Sequence, residues 1–219
     1  MKISILIPSV NGFRLLSECV NSIFEKMSGE HKVEVIIKLD FDDETIARIN
    51  ELKNKENIKI FITEKGLGYG GIHVFLNEML KLCNDSDWIQ LFNDDALVLT
   101  KNWDKLLEKY NPDDVWLLRH HQCQGRIGDV GDYYFPFISR KYHEVVGRIT
   151  GGPSYDGYLL NIADELNIWQ RLPIDFYHRH VHELKQTPDK NDQMNNSRKK
   201  IDEAQELRND KEKIRNYLK

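Results

Sequence analysis

Apolar residues in the first hundred positions alternate between two spacings. Ile3-Ser4-Ile5-Leu6-Ile7 is a short, β-branched run stopped by Pro8, which predicts a buried strand. Leu15, Leu16, Cys19, Val20, Ile23 and Phe24 then fall on one face of a helix that reaches about Ser28. The pair of patterns repeats. Val33 to Ile37 reads as a second strand and Glu44 to Lys55 as a second helix, with Asp42 or Asp43 as its N-cap. Ile58 to Ile62 is a third strand. Ile72, Phe75, Leu76, Met79, Leu80 and Cys83 line a third helix, and Trp88 to Phe92 is a fourth strand. This alternation predicts an α/β fold, a mainly parallel sheet with helices on both faces. Right-handed crossovers put every strand-to-helix turn on one edge, where such sheets bind ligands. Residues 8–11, 40–43, 65–68 and 93–95 should therefore converge.

The second half is less regular. Val115 to Leu118 and Tyr133 to Ile138 read as strands, Arg126 to Asp132 as a glycine-bearing loop, and Ser139 to Val146 as a short helix. Gly151-Gly152-Pro153 breaks the chain before a helical pattern from Asp156 to Ile168, and Ile174 to His180 suits a last strand. From Thr187 the composition turns to charge and amide. Ser197 to Lys219 is helix-prone, with a thin stripe of Ile201, Ala204, Leu207, Ile214 and Leu218. That helix either folds onto the domain or serves as a homodimer contact. The expected division is a domain over 1–186, in two halves at 1–110 and 111–186, and a charged helical tail at 187–219.

Composition narrows the classes. At 219 residues the chain suits one sizeable core, and 40% hydrophobic with 30% charged residues suits a water-soluble protein. A formal net charge of -4 argues against holding duplex DNA through its phosphates. Cys19, Cys83 and Cys123 are odd in number and widely spaced, which suggests neither a disulfide framework nor a zinc cluster. Cys19 and Cys83 sit in apolar helical patterns and read as core thiols. No apolar run is long enough for a signal peptide or a membrane span, so the expected location is cytoplasmic.

The chemistry concentrates at strand ends. Asp94 and Asp95 follow an apolar strand, where buried carboxylates need a partner. A hard divalent cation, magnesium or manganese, is one partner, and turn capping is the alternative. Asp40 ends the second strand, where an acid can accept from a ribose hydroxyl or a base N–H, while Asp42 and Asp43 fit N-capping. Gly66 to Gly71 contains a literal G-x-G-x-x-G. It follows the third strand rather than the first, and about 20 residues on Asp85 and Asp87 stand before the next strand instead of at its end, so a dinucleotide site is not favoured. His178 and His180 share one face of a strand and are either ligands or paired surface residues. His120 and His121 are expected at the surface. Tyr133, Tyr134, Phe135 and Phe137 form either a sugar-stacking wall or core, with core favoured.

The run Ile5-Leu6-Ile7-Pro8-Ser9-Val10-Asn11, the strand ending at Asp40, the Gly66-Leu67-Gly68-Tyr69 segment and Asn93-Asp94-Asp95 together resemble family 2-type glycosyltransferases of the GT-A fold. The likeness covers about the first 110 residues and continues more loosely through Phe135 to Arg140 and Tyr155 to Tyr158. The resemblance implies a metal-dependent transfer of a sugar from a nucleotide-diphosphate sugar, a UDP-sugar foremost, to a hydroxyl acceptor, with inversion. It implies that Pro8, Ser9, Val10, Asp40 and Lys65 line the base pocket and that Asn93 and Asp94 meet the ribose or sugar. Asp95 would bind manganese or magnesium with help from His178 and His180, and Asp156 would be the catalytic base. Three positions depart from the family pattern: Val10 stands where an aromatic is common, Asn93 where the metal motif has an acid, and Tyr155 where a Glu precedes the base. The residues alone leave two rivals, a nucleotidyltransferase on a similar sheet and a non-catalytic nucleotide-sugar-binding domain.

Overall fold

A computed structural model of the protein describes residues 1–63, 71–83, 85–124, 135–179 and 203–219, with only the backbone described at 122–124. Strand β1 (Lys2–Pro8) occupies the middle of a six-stranded sheet. It pairs in parallel with β2 (Lys32–Asp40) on one side and β4 (Trp88–Leu91) on the other, and β3 (Ile58–Thr63) lies outside β2. Beyond β4 the direction reverses. Strand β8 (Phe137–Ser139) is antiparallel to both β4 and the short edge strand β6 (Leu117–Leu118). The sheet is thus mostly parallel, as the alternation of strand and helix predicts.

Alternation along the central strands sorts their side chains to two faces. Ile3, Ile5 and Ile7 of β1, with Val33, Val35, Ile37 and Leu39 of β2, face the side covered by α1 (Phe13–Lys26) and Trp103. Leu6 and Ile36 face the opposite side, covered by α3 (Ile72–Leu80), α4 (Arg140–Val146) and α5 (Tyr155–Leu166). Each of these fully buried aliphatic side chains contributes about 1.5–3 kcal/mol. Lys38 belongs by register to the α3 side, and there it is buried.

Two elements differ from expectation. The second helix is broken: α2 spans only Thr45–Arg48, followed by 3₁₀ turns at Ile49–Glu51 and Lys55–Asn57. Its apolar residues Ile46, Ile49 and Leu52 recur at steps of three, which suits a 3₁₀ turn better than a long α-helix, and Asn54 at φ 57° ends the run. A second, three-stranded sheet was not evident from the apolar pattern. It orders β5 (Ala96–Val98), β9 (Asp175–His178) and β7 (Gln122–Gln124), with β9 antiparallel to β5 and parallel to β7.

The C-terminal helix α6 (Glu203–Leu218) packs on α4 and α5, with Ile214 fully buried and Leu207 against the same core. Leu207 and Ile214 of its apolar stripe thus face its own chain, whereas Ala204 and Leu218 are exposed. Among the described residues, no helix is long and apolar enough to cross a membrane.

Candidate active site

The carboxyl ends of β1, β2 and β3 lie side by side, with Pro8 opposite Lys38 and Asp40 opposite Thr63 in the register. Past β1 the Ser9 amide donates to the Lys38 carbonyl at 3.0 Å, and the Ser9 hydroxyl donates to Asp94 Oδ2 at 2.6 Å. The chain then turns through Asn11 at φ 49°. Gly12 follows, where a Cβ would stand 3.1 Å from Asp94 Oδ2. Asp43 ties this turn to the next. Its carboxylate accepts from the Asn11 amide at 2.8 Å and from the Thr45 amide at 2.7 Å, so it serves the cap its position suggests, while Asp42 is exposed. Val10 is exposed at the same edge.

Asp40 is oriented by two neighbours that act on one of its oxygens. The buried Lys38 ammonium donates to Oδ1, and the Thr63 hydroxyl donates to the same oxygen at 3.2 Å. Lys38 also lies 3.8 Å above the Phe75 ring on α3, so an otherwise costly buried ammonium has an anion and a π-face as partners. The sequence shows this arrangement as a lone lysine in a buried strand, two residues before an acid and so on the same face.

The turn after β4 carries Asn93, Asp94 and Asp95, and β5 follows at once. Pairing of Ala96 with His178 across β5 and β9 brings the acidic turn against the late strand. His178 Nε2 sits 3.0 Å from Asp95 Oδ1 and 3.3 Å from Asn93 Nδ2, and both Asp95 and His178 are buried. Phe135 lies edge-on to His178 at 5.3 Å and packs against Phe92 and Phe176. Phe135 and Phe137 are fully buried, so these two aromatics are core; Tyr133 and Tyr134 lie outside the described residues, as do Lys65 and His180. His120 corrects the surface expectation. Arg119 to His121 run beside 170–174 in an extended ladder, and alternation turns His120 inward against Phe176 at 5.4 Å and His121 outward.

Among the described residues no group of three or more His, Cys, Asp or Glu side chains is arranged as a complete metal site. The Asp95–His178 pair is nonetheless compatible with an ion. Two neighbouring ligands each ~2.1 Å from an octahedral cation stand roughly 3 Å apart, and hard cations of this kind commonly fill their remaining positions with water and substrate phosphate. The 3.0 Å separation of Oδ1 and Nε2 matches that spacing.

Asp156 lies in the first turn of α5, whose N-cap residue Ser154 makes no side-chain cap bond. It faces a cleft with Leu117, Arg119, Pro136 and Leu159. Its Oδ1 is buried with no hydrogen-bond partner among the described residues. Burial pushes its carboxyl up to about 7, with Tyr155 and the charge of His178 pulling it partly back down. The effect of His178 places Asp156 within electrostatic reach of the Asp95–His178 pair. Cys19 lies beneath the site with its thiol pushed well up by burial and by Asp94 and Asp95, so it is a core thiol.

A mostly parallel sheet that gathers Ser9, Asp40 and Asp94 at its carboxyl edge, with the Asp95–His178 pair beside them, is an arrangement of the GT-A type. The chain belongs to glycosyl transferase family 2, whose model matches residues 4–151. No curated protein sequence matches it. Among solved structures, TarS 1-349 of S. aureus in complex with UDP superposes with TM-score 0.63 at 17% identity, covering 81% of this chain and 60% of that one. The mannosyltransferase PcManGT from Pyrobaculum calidifontis, in complex with GDP-Man and Mn2+, gives 0.58 at 15%, covering 83% and 59%. Glucosyl-3-phosphoglycerate synthase from Mycobacterium tuberculosis, with Mg2+ and UDP, gives 0.57 at 15%, covering 84% and 74%. The chain thus spans about 60% of the TarS fragment it resembles.

Proposed function

We propose that the protein transfers a sugar from a nucleoside-diphosphate sugar to a hydroxyl acceptor with inversion at the anomeric carbon. The observation that carries the proposal is the buried Asp95–His178 pair, 3.0 Å apart at the nucleotide-binding edge and within the field of Asp156. Pro8, Ser9, Val10, Asp40 and Lys65 are assigned to the nucleoside, and Asn93 and Asp94 to the ribose and sugar. Asp95 and His178, with His180 as a candidate third ligand, would hold manganese or magnesium. Such an ion, when bound, neutralises the charge that develops on the departing diphosphate.

Asp156 supplies the other half of the chemistry. The acceptor hydroxyl attacks the anomeric carbon from the face opposite the diphosphate. Its new C–O bond forms as the bond to the diphosphate oxygen breaks, and Asp156 takes the hydroxyl proton. A carboxyl held near 7 by burial is well matched to that transfer at neutral pH.

The geometry at Asp40 favours uridine as the base. Lys38 and Thr63 both act on Oδ1, which leaves Oδ2 to accept one N–H. Uracil offers a single imide N–H between two carbonyls, whereas guanine offers two adjacent donors that call for both carboxylate oxygens.

The test is thermal melting against a panel of nucleotides and nucleotide sugars, with and without manganese. A ligand that binds only the folded state at a hundred times its Kd adds about 2.7 kcal/mol of stability. UDP should raise the melting temperature more with manganese than without, and Asp95→Ala should remove the metal-dependent part. If no nucleotide shifts the unmutated protein under any metal, the proposal is wrong.

A further inference from the structure

Helix α6 lies beyond the residues that match the family model, yet it is built into the half that carries Asp156. It holds α5 at successive turns. Asp210, with no exposed surface, accepts a two-pronged contact from Arg148, Nε to Oδ2 and Nη2 to Oδ1, each 2.8 Å. The same carboxylate accepts from the Tyr158 hydroxyl at 2.5 Å and from Lys213 at 3.3 Å. Further along, Lys211 reaches Asn161 and Glu165, and Arg215 also reaches Glu165.

The loop that opens α5 is pressed by the first turns of α6. A Cβ on Gly151 would stand 2.6 Å from Glu206 Cβ, and one on Gly152 would stand 2.3 Å from Glu203 Cδ. Two consecutive glycines thus make room for this helix. A tail that merely docked would be served by Ile214 and Leu207. A fully buried carboxylate is an expensive way to attach a solvated helix unless its geometry matters. The first turn of α5 has no side-chain cap of its own, so these contacts add to the core packing of Tyr155 and Tyr158 in placing it. Tyr158 lies on α5 two residues beyond Asp156, whose carboxyl is hydrogen-bonded by Tyr155 while its Oδ1 is buried without a partner among the described residues.

We propose that α6 is a working part of the transferase: Asp210 is a positioning residue that acts through Tyr158 and Arg148 to set the first turn of α5 and with it the carboxyl of Asp156. The proposal rests on the assignment of Asp156 as the base. A shift of about 1 Å in a catalytic group is enough to cost roughly a hundredfold in rate.

The experiment uses the full chain. UDP release is followed from a panel of UDP-sugars with manganese, with water as the acceptor, for Asp210→Asn, Tyr158→Phe, Asp156→Asn and the double variant Asp210→Asn/Asp156→Asn. Asp210→Asn and Tyr158→Phe should lower kcat about tenfold or more, with donor KM and the nucleotide-dependent melting shift unchanged. The double variant should be no slower than Asp156→Asn alone, because both changes act on one proton transfer. Tyr158→Phe keeps its ring in the core and carries the test if Asp210→Asn does not fold. Normal kcat in Tyr158→Phe and Asp210→Asn beside an inactive Asp156→Asn overturns this proposal alone. Additive losses in the double variant overturn it too. Full activity in Asp156→Asn removes the base assignment, and this proposal with it.

Discussion

The role proposed for Asp156 needs its anion, and its surroundings oppose that anion. Its folded carboxyl titrates near 7 and its ordinary value is 3.8, so the folded state binds the extra proton between those limits. Stability from this group is therefore full below 3.8, falls as pH rises toward 7, and stays at the lower level above. Asp156→Asn should unfold at higher urea than the unmutated protein at pH 8 and show no advantage near pH 3.5. The ceiling is on the order of 4 kcal/mol. Turnover should fall as pH drops below about 7, which a pH series of kcat checks. Lys38 gives the companion prediction. Lys38→Met keeps the packing over Phe75 and releases one hydrogen bond from Asp40 Oδ1. UDP binding should weaken about tenfold while the preference for UDP over GDP narrows, as titration calorimetry would read. The alternation of β2 makes Lys38 legible in hindsight, since a lysine in a fully buried strand must point at something. The burial of Asp156 is not legible, because it depends on Leu117 and Pro136 arriving from other elements.

At the scale of elements, the strands were readable and their partners were not. β-Branched runs predicted β1, β2 and β3: β1 and β2 are buried on both faces and leave continuous apolar stretches, while the edge strand β3 is only partly buried but keeps its isoleucines. Strands β5, β7 and β9 are short and find one another only through pairing distant in sequence, so no local period announces their sheet. Composition predicts α6 as a helix, but Asp210 stands in a run of charge that looks solvated and is in fact its most deeply buried acid. Two glycines test how tightly these elements are set. Gly151→Ala drives a Cβ against the Cβ of Glu206, which cannot swing away, and should cost about 1–3 kcal/mol. Gly157, within α5, has open space around its would-be Cβ, so Gly157→Ala should instead stabilise by about 0.5–1 kcal/mol. Urea unfolding of the two variants should shift in opposite directions.

The whole molecule brings its candidate site residues to the seam of two sheets. The six-stranded sheet ends in Ser9, Asp40 and the acidic turn, and the three-stranded sheet delivers His178 to that turn through β9. The family motif at 93–95 was visible because it follows a strand directly. Its pairing with His178 came from the resemblance rather than from the residues, since nothing local ties the two positions. A cation held by Asp95 and His178 would therefore join the sheets as well as the substrate, and both ligands should matter equally to it. Asp95→Asn and His178→Gln keep roughly the size of the buried pair. Each should remove the manganese-dependent gain in UDP affinity, tenfold or more, while metal-free melting moves by only a few degrees. The double variant should lose no more than either single change, because both act on one ion. Loss of the gain in Asp95→Asn with full retention in His178→Gln would instead leave His178 as a hydrogen-bond partner that orients Asp95, and the ion would belong to the nucleotide edge alone.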